Sequence, residues 1–462
     1  MSELGALEFL SIIILSILIL SMVILLDEMF IDREEELGYL ESLYREDKAQ
    51  LVVIYGRRRV GKTVLVKKFM EDKKGVYFYA MKQPLKLELE RLAEAVSRTL
   101  GRYVRPDFDN IFAALSEAGK IVVVIDEFTY WIEEDPRVLS ILQRIWDEYL
   151  SKSSVFLILV ASTVTLVEKS FSYGSGLYGR RTGQWKLGPL EPIYIKYFLP
   201  NYDLEDLVRV YGCVGSIPYY LSLFDPRKSF EENVNRLFFN KGGVLYEEAE
   251  NLLRYEVRDP YIYLNIIRAI EEGATTYSKI SDKAKVNITN LSKYLHVLEK
   301  LDIVVREKPI IGRARPIYVI KDNYIRFWVR YVYPNKDKIE WGTFWFKKEQ
   351  MNNYLPKVFE DLVGHSLRHL YRIGKIPILG RCGRYWEKER EIDIVCVEDD
   401  KLLAIEVKWR DLKASEAEEI IQELRRKLNN REAIYGVAAK TIKGEFDGIK
   451  IELKDLFEKE EK

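Results

Sequence analysis

The chain has 462 residues, of which 48% are hydrophobic and 31% are charged, so we expect a folded protein of about three domains. Lys and Arg balance Asp and Glu at 72 each, so the net charge gives no sign of a polyanionic partner, and any basic surface must be local. Three widely spaced cysteines (Cys213, Cys382 and Cys396), no CxxC and only three histidines argue against a zinc module and a disulfide framework.

An uncharged run, FLSIIILSILILSMVILL, occupies residues 9–26. A helix of this length spans roughly 27 Å, close to the thickness of a bilayer core. Basic residues follow it from Arg33 onward, so the positive-inside rule predicts one membrane anchor with the rest of the chain on the cytoplasmic face. The alternatives are a buried hydrophobic helix and an extension that is not translated. A start at Met29 would remove the anchor and leave a cytoplasmic protein.

The stretch LVVIYGRRRVGKTVLVKKF, residues 51–69, joins a buried strand to an amphipathic helix through a GxxxxGK[ST] loop. In such a loop the backbone wraps around phosphates, and the helix N-terminus supplies positive potential. We expect Lys62 to reach the β- and γ-phosphates of ATP and Thr63 to bind Mg²⁺. The predicted nucleotide-binding positions are Gly56, Arg57, Arg58, Arg59, Val60, Gly61, Lys62, Thr63 and Val64.

Two further apolar strands end in polar residues. KIVVVIDEF ends in Asp126, expected to hold Mg²⁺ through water, and Glu127, expected to orient or deprotonate an attacking water. VFLILVAST ends in Ser162, which would sense the γ-phosphate or position water. The alternative for Ser162 is an ordinary hydroxyl between strand and loop.

The loop LYGRRTGQWKLGPL carries Arg180 and Arg181. One of them is a candidate arginine finger or phosphate sensor. The alternative is a pair of solvated surface arginines.

With these elements in order, the chain resembles archaeal ATPases of the AAA+/STAND class over residues 30–462, through FIDREEELGYLESLY, YGRRRVGKT, VVVIDEF, LYGRRTG and YGCVGSIPYYL. The resemblance implies an α/β fold: a parallel-sheet P-loop ATPase with a helical lid, a winged helix and a nuclease-like C-terminal domain. A GxP element that contacts the base in related ATPases corresponds to Gly215 and Pro218, with one extra residue between them. The class also includes homo-oligomeric rings.

A winged helix is predicted after the lid, from three short helical segments and two strands around a turn. Residues 276–322 carry ten Lys and Arg against five Asp and Glu, a local charge of +5 that favours DNA. The recognition helix is placed at residues 287–301. The side chains expected to face DNA are Thr289, Asn290, Ser292 and Lys293 on that helix and Arg313 and Arg315 on the wing. The alternative is a winged helix that makes protein contacts.

The C-terminal part combines Glu360 on a helix, Asp393 in REIDIVCVED, and Glu406 and Lys408 in LLAIEVKW. Residues two apart on a strand share a face, so Glu406 and Lys408 point the same way. Together the four residues resemble the PD-(D/E)xK nuclease pattern. That resemblance implies Mg²⁺ or Mn²⁺ bound by Asp393 and Glu406 with help from Glu360, and Lys408 positioning water. A structural ion pair between Glu406 and Lys408 is the alternative.

Two functions fit this organisation. One is an ATP-driven DNA-processing enzyme that cuts at the C-terminal site, and the other is a membrane-tethered regulatory ATPase whose C-terminal domain binds a partner without cleavage. The predicted segments are a membrane anchor (1–28), an ATPase core (29–190), a helical lid (191–260), a winged helix (261–322), an aromatic linker (323–345) and a nuclease-like domain (346–462).

Overall fold

The computed structural model describes residues 30–171, 175–429 and 431–459. The predicted membrane segment at residues 9–26 lies outside them. Within the described ranges, no helix combines the length and the apolar character that crossing a membrane requires. The chain divides into two compact units, one up to residue 188 and one from residue 189.

The first unit is built on a five-stranded parallel sheet with strand order β2-β3-β4-β1-β5, which confirms the predicted parallel-sheet α/β class. Its central strands are buried along their whole length, as their continuous apolar sequences require. The strands are β1 (Gln50–Tyr55), β2 (Gly75–Tyr79), β3 (Ile121–Asp126), β4 (Val155–Ala161) and β5 (Gly183–Lys186).

Helices cover both faces of this sheet. Alternate strand residues enter different cores: Val123 packs in the core that includes α3, α4 and α6, and Val122 packs in the core that includes α1 and α2. The helices are α1 (Glu34–Arg45), α2 (Lys62–Met70), α3 (Leu85–Leu100), α4 (Phe108–Ser116), α5 (Thr129–Glu134), α6 (Val138–Ile145), which continues as a π-helix (Trp146–Leu150), and α7 (Val164–Ser170).

The second unit begins with a helical region and continues into a three-helix segment with a two-stranded wing. One core runs through all of it, from Leu207 through Leu298 to Phe359. The helices are α8 (Ile195–Phe198), α9 (Leu204–Val214), α10 (Pro218–Ser222), α11 (Phe230–Phe238), α12 (Glu248–Glu256), α13 (Pro260–Glu271), α14 (Tyr277–Ala284), α15 (Ile288–Lys300), α16 (Asn323–Phe327), α17 (Lys336–Glu340), α18 (Leu355–His365), α19 (Leu367–Arg372) and α20 (Ala414–Lys427).

The strands of the second unit form the wing and a five-stranded mixed sheet of order β14-β12-β10-β9-β8. β8, β9 and β10 are antiparallel neighbours, and β10, β12 and β14 run parallel. The strands are β6 (Val304–Glu307) and β7 (Ile317–Ile320) in the wing, then β8 (Arg381–Glu387), β9 (Arg390–Glu398), β10 (Lys401–Lys408), β11 (Leu412–Lys413), β12 (Ile434–Ala439), β13 (Ile442–Lys443) and β14 (Ile449–Glu452).

The cysteine pattern was misleading in one respect. Cys382 and Cys396 form a disulfide bond, although the sequence argued against a disulfide framework. They are directly opposite each other in the β8–β9 pairing, where cross-strand side chains are close neighbours. Cys213 is buried and free.

Candidate functional site

The P-loop joins β1 to α2, and two of its glycines adopt backbone conformations that other residues avoid. Gly56 has φ +147°, and a Cβ there would lie 2.3 Å from the carbonyl oxygen of Leu187. Gly61 has φ +96° and stands at the N-terminus of α2. Lys62 Nζ donates to the carbonyl oxygens of Gly56 and Arg57, at 2.9 Å each. The lysine therefore lies over the loop that is expected to hold phosphates.

The side chains at the other P-loop positions differ in their exposure to solvent. Arg58 donates to the Tyr130 hydroxyl at 3.3 Å. Val60 is buried in the core beneath the loop, and Val64 is exposed on the first turn of α2.

Asp126, at the carboxyl end of β3, accepts hydrogen bonds from the P-loop segment, from β2 and from the residue that follows it. Thr63 Oγ1 donates to Asp126 Oδ2 at 2.6 Å, and the Tyr77 hydroxyl donates to the same oxygen at 2.8 Å. The backbone N–H of Glu127 donates to Asp126 Oδ1 at 2.9 Å. Burial and the Asp126 charge raise the pKa of Tyr77, so its hydroxyl stays protonated as a donor. Two expected metal-binding oxygens, from Thr63 and Asp126, thus lie side by side.

Glu127 occupies the left-handed region at φ +56°, which is uncommon for a residue other than glycine. Its buried carboxylate accepts hydrogen bonds from the Ser162 backbone N–H, at 3.2 Å, and from the Ser162 hydroxyl. β3 and β4 are adjacent and parallel, so both residues stand at the same edge of the sheet. The structure therefore joins the two residues predicted to handle the attacking water.

The two candidate finger arginines have local partners. Arg180 makes a two-pronged ion pair with Asp147, at 2.8 Å for both bonds, and also donates to the Gly176 carbonyl oxygen. Arg181 donates to the Gln184 side chain. Both roles stay predictions.

Pro218 begins α10 in the second unit. It follows a bend at Gly215, with φ +61°, and a buried Ser216 whose hydroxyl donates to the Leu190 carbonyl oxygen. Its role as a base contact stays a prediction.

The segment predicted as a recognition helix is α15, capped by the Asn287 side chain, which accepts from the Thr289 backbone N–H at 2.9 Å. Its buried stripe is Leu291, Leu295 and Leu298. The side chains predicted to face DNA are exposed: Thr289, Asn290, Ser292, Lys293, Arg313 and Arg315.

The wing is not isolated, because its loop packs on strand β8. Ile310 N donates to the Arg384 carbonyl oxygen at 2.9 Å, and Trp386 Nε1 donates to the Arg315 carbonyl oxygen at 3.2 Å. Only the backbone of Arg315 is used in this contact. The wing thus forms one wall of the C-terminal site.

That site is centred on the β9–β10 hairpin. Ile394 pairs with Ile405, so Asp393 and Glu406 occupy the next position along the two strands. Asp393 Oδ2 accepts from the Val407 backbone N–H at 2.8 Å. Burial, followed by the charges of Glu406 and Glu360, raises the pKa of Asp393 to about 7. The charges of Glu406 and Glu360 therefore act on Asp393.

Glu406 is neutralised by two lysines. Lys408 Nζ lies 2.8 Å from Glu406 Oε1, and Lys427 Nζ, from α20, lies 3.2 Å from Oε2. Glu360 pairs with Lys357 at 3.0 Å. In the described ranges, no three His, Cys, Asp or Glu side chains are arranged as a metal-binding group.

Three supporting residues escaped the sequence reasoning. Tyr77 donates a hydrogen bond to Asp126, and Lys427 forms an ion pair with Glu406. Buried Arg33 donates to the carbonyl oxygen of Val60 in the P-loop at 3.1 Å. Lys427 lies 21 positions after Glu406, and only a helix packed on the sheet brings the two together. Tyr77 was only weakly indicated by the sequence. Its side chain ends in a hydroxyl, and it lies in a strand that precedes the strand ending in Asp126.

Comparison with known proteins defines the class. Residues 30–224 match a family described as an ATPase domain predominantly from Archaea, and residues 328–420 match one described as "Archaea bacterial proteins of unknown function". The uncharacterized protein MJECL04 of Methanocaldococcus jannaschii is 35% identical over 434 residues, which cover 91% of this chain and 98% of that protein. The chain belongs to this family of archaeal P-loop ATPases, as the resemblance implied.

One further relative agrees with that class, and one solved structure has a similar fold. The uncharacterized ATP-binding protein MJ0423 of the same organism is 61% identical over 46 residues, 10% of this chain and 78% of that protein. The Walker-type ATPase paby2304 of Pyrococcus abyssi has a similar fold, with TM-score 0.53 and 22% identity over 66% of this chain and 97% of that one.

Proposed function

We propose that the first unit hydrolyses ATP with the help of Mg²⁺. The observation that carries this proposal is the hydrogen bond of 2.6 Å between Thr63 and Asp126, with Glu127 held beside them. A hydroxyl and a carboxylate are the hard oxygen donors that Mg²⁺ prefers, so Thr63 and Asp126 fit the ion. When bound there, Mg²⁺ would neutralise charge on the β- and γ-phosphates.

The chain's own residues then have distinct tasks. Lys62 leaves the loop carbonyls that it contacts and binds the phosphates. Glu127 orients the attacking water and accepts its proton, and the two hydrogen bonds from Ser162 keep the carboxylate in place.

Substitution of Glu127 tests this assignment. We expect Glu127→Gln to bind ATP normally and to lower the hydrolysis rate by about 10²- to 10³-fold, a loss typical of a general base. Glu134→Gln, at an exposed position of α5, is the matched control. Phosphate release and equilibrium ATP binding are measured together, and near-normal turnover by Glu127→Gln would contradict the role.

For the second unit, we propose DNA binding by the winged helix and metal-dependent DNA cleavage at Glu360, Asp393, Glu406 and Lys408. Asp393 and Glu360 line one cavity, and Asp393 lies beside Glu406 on the hairpin, which supports a shared site. Carboxylate oxygens are hard donors of the kind that Mg²⁺ and Mn²⁺ prefer, and an ion held by Asp393 and Glu406 would supply an activated water. Lys408 would position that water.

Cleavage is tested on linear, circular, branched and single-stranded DNA with Mg²⁺ or Mn²⁺, with and without ATP. We expect cutting that Asp393→Asn abolishes while ATP hydrolysis continues. A dependence of cutting on ATP would show coupling between the two activities. Intact ATP hydrolysis without cutting of any substrate would remove the cleavage proposal.

A regulatory ATPase without cleavage is the second candidate. The two lysines on Glu406 favour it, because they already compensate the charge that a metal ion would neutralise. Under this proposal the hydrophobic segment at residues 9–26 tethers the protein to a membrane. Fractionation of cells expressing the chain with and without residues 1–28 tests the tether, and equal partitioning would refute it.

A further inference from the structure

A cavity of about 390 Å³ lies between the wing and the C-terminal sheet. We call it the wing cavity; its wall includes Val305, Lys308, Val319, Glu360, Arg384 and Asp393. Two of the candidate cleavage carboxylates, Glu360 and Asp393, therefore face a partly open cavity bounded by the wing. The size is near the lower end of the range for single small ligands, about 300–1,000 Å³.

Cations in this wall lack a full set of acceptors. Arg384 pairs with Glu307 and Glu391, yet its buried Nε has no hydrogen-bond partner within the described part of the chain. Arg326 also lies in the wall, and its buried Nε likewise has no hydrogen-bond partner within the described residues. A buried N–H without an acceptor is costly, and the planar fork of arginine matches phosphate oxygens.

Lys308 adds a charge at the exposed rim. It follows β6, its side chain is exposed, and it makes no ion pair with any residue in the ranges described. The half-buried side chains of Val305 and Val319, on the paired wing strands, supply an apolar wall. The cavity thus combines cationic groups for a phosphate with an apolar surface for a base.

We propose that the wing cavity binds one unpaired nucleotide unit, with its phosphate on Arg384 and Lys308 and its base against Val305 and Val319. A cavity of about 390 Å³ has room for a single nucleotide. A duplex does not fit in it, because the major groove of a duplex alone is about 12 Å wide. The inference rests on the proposed function of the C-terminal site and narrows its substrate to a single-stranded end or a free nucleotide. Duplex DNA would reach these carboxylates only after its strands separate.

The test uses the full chain carrying Asp393→Asn, to stop cleavage, with Mg²⁺ and with ADP saturating the P-loop. The probes are a 5′-phosphorylated single-stranded decamer and a blunt hairpin duplex with the same 5′ phosphate, followed by fluorescence anisotropy. We expect the single strand to bind at least about 10-fold more tightly than the hairpin, because only an unpaired end fits the cavity. Equal affinities would overturn the proposal.

Two substitutions locate the binding. Lys308→Glu should weaken single-strand binding about 10-fold or more, whereas Lys152→Glu, at an exposed lysine of the first unit, should leave it unchanged. Arg384→Lys keeps the charge but loses the fork, and a loss of several-fold is expected. No effect of Lys308→Glu would overturn the proposal.

Two further experiments distinguish a free nucleotide from a strand end as the ligand, and the cavity proposal from the cleavage proposal. Deoxycytidine monophosphate that competes as well as the decamer would assign the cavity to free nucleotides, and weak competition would assign it to strand ends. Cleavage of duplex interiors by the unsubstituted chain, without preference for single strands, would overturn the cavity and leave the nuclease. Single-strand binding that depends on Lys308, without any cleavage, would leave the cavity and overturn the nuclease.

Discussion

Asp361 shows how a buried charge can stabilise this chain. It lies 2.7 Å from Arg326 and 3.1 Å from Lys357. Burial alone would raise its pKa, but the charges of Arg326 and Lys357 outweigh burial and lower the pKa to about 2. A lowered folded-state pKa means that the ionised form stabilises the fold above the unfolded value, about 3.9, and that this stability is lost as the pH falls towards 2.

Asp361→Asn should therefore lower the free energy of unfolding by about 2 kcal/mol or more at pH 7, because Arg326 stays buried without its partner. The difference from the unsubstituted chain should shrink between pH 4 and about pH 2. Denaturant unfolding across this range measures it, with Asp447→Asn, at a side chain that is 98% exposed, as the control. A difference independent of pH would refute the electrostatic explanation.

The pKa of Asp393 is shifted in the opposite direction to that of Asp361. Its pKa is raised to about 7, so its ionised form destabilises the metal-free fold increasingly as the pH rises from about 4 to 7, and by a constant amount above. We expect Asp393→Asn to stabilise the metal-free protein at pH 8 by up to about 4 kcal/mol, and by almost nothing at pH 4. Thermal unfolding with a chelator measures this, and a less stable variant at pH 8 would indicate a structural carboxylate.

At the scale of elements, α15 allows the proposed DNA binding to be tested separately from the proposed cleavage. Lys293 is exposed on this helix and, as a phosphate contact, should contribute about one counterion to the salt dependence of duplex binding. Lys293→Ala should weaken duplex binding and reduce the slope of log affinity against log salt by about 1. Lys152→Ala, an exposed lysine of the first unit, is the control. An unchanged slope would favour a winged helix that binds protein.

Sequence reasoning succeeded where an element carries its own signal. The P-loop lies within one strand–loop–helix segment, so the strand, the loop and the helix that carries Lys62 and Thr63 could be predicted from the sequence. Contacts between segments that are distant in the chain could not be predicted from the sequence, because strand register and helix packing determine them. Lys427 reaches Glu406 from α20, the wing reaches β8, and Cys382 meets Cys396 only through the register of β8 and β9.

At the scale of the whole molecule, each of the two units has hydrophobic cores of its own. The two cores around the first sheet end by Leu187, and the core of the second unit begins at Ile195. A domain with its own core can unfold as its own cooperative step. Calorimetry of the full chain should therefore show two transitions.

ATP should raise the Tm of one of these transitions. At 100 times its Kd, a ligand stabilises the unit that binds it by about 2.7 kcal/mol, a shift of several degrees for a unit of this size. Glu127→Gln would be used, so that ATP persists during the scan, and the same variant carrying Lys62→Ala should lose the shift. A single transition that moves as a whole would mean that the two units unfold together, and the nucleotide would then stabilise the C-terminal site through that cooperativity.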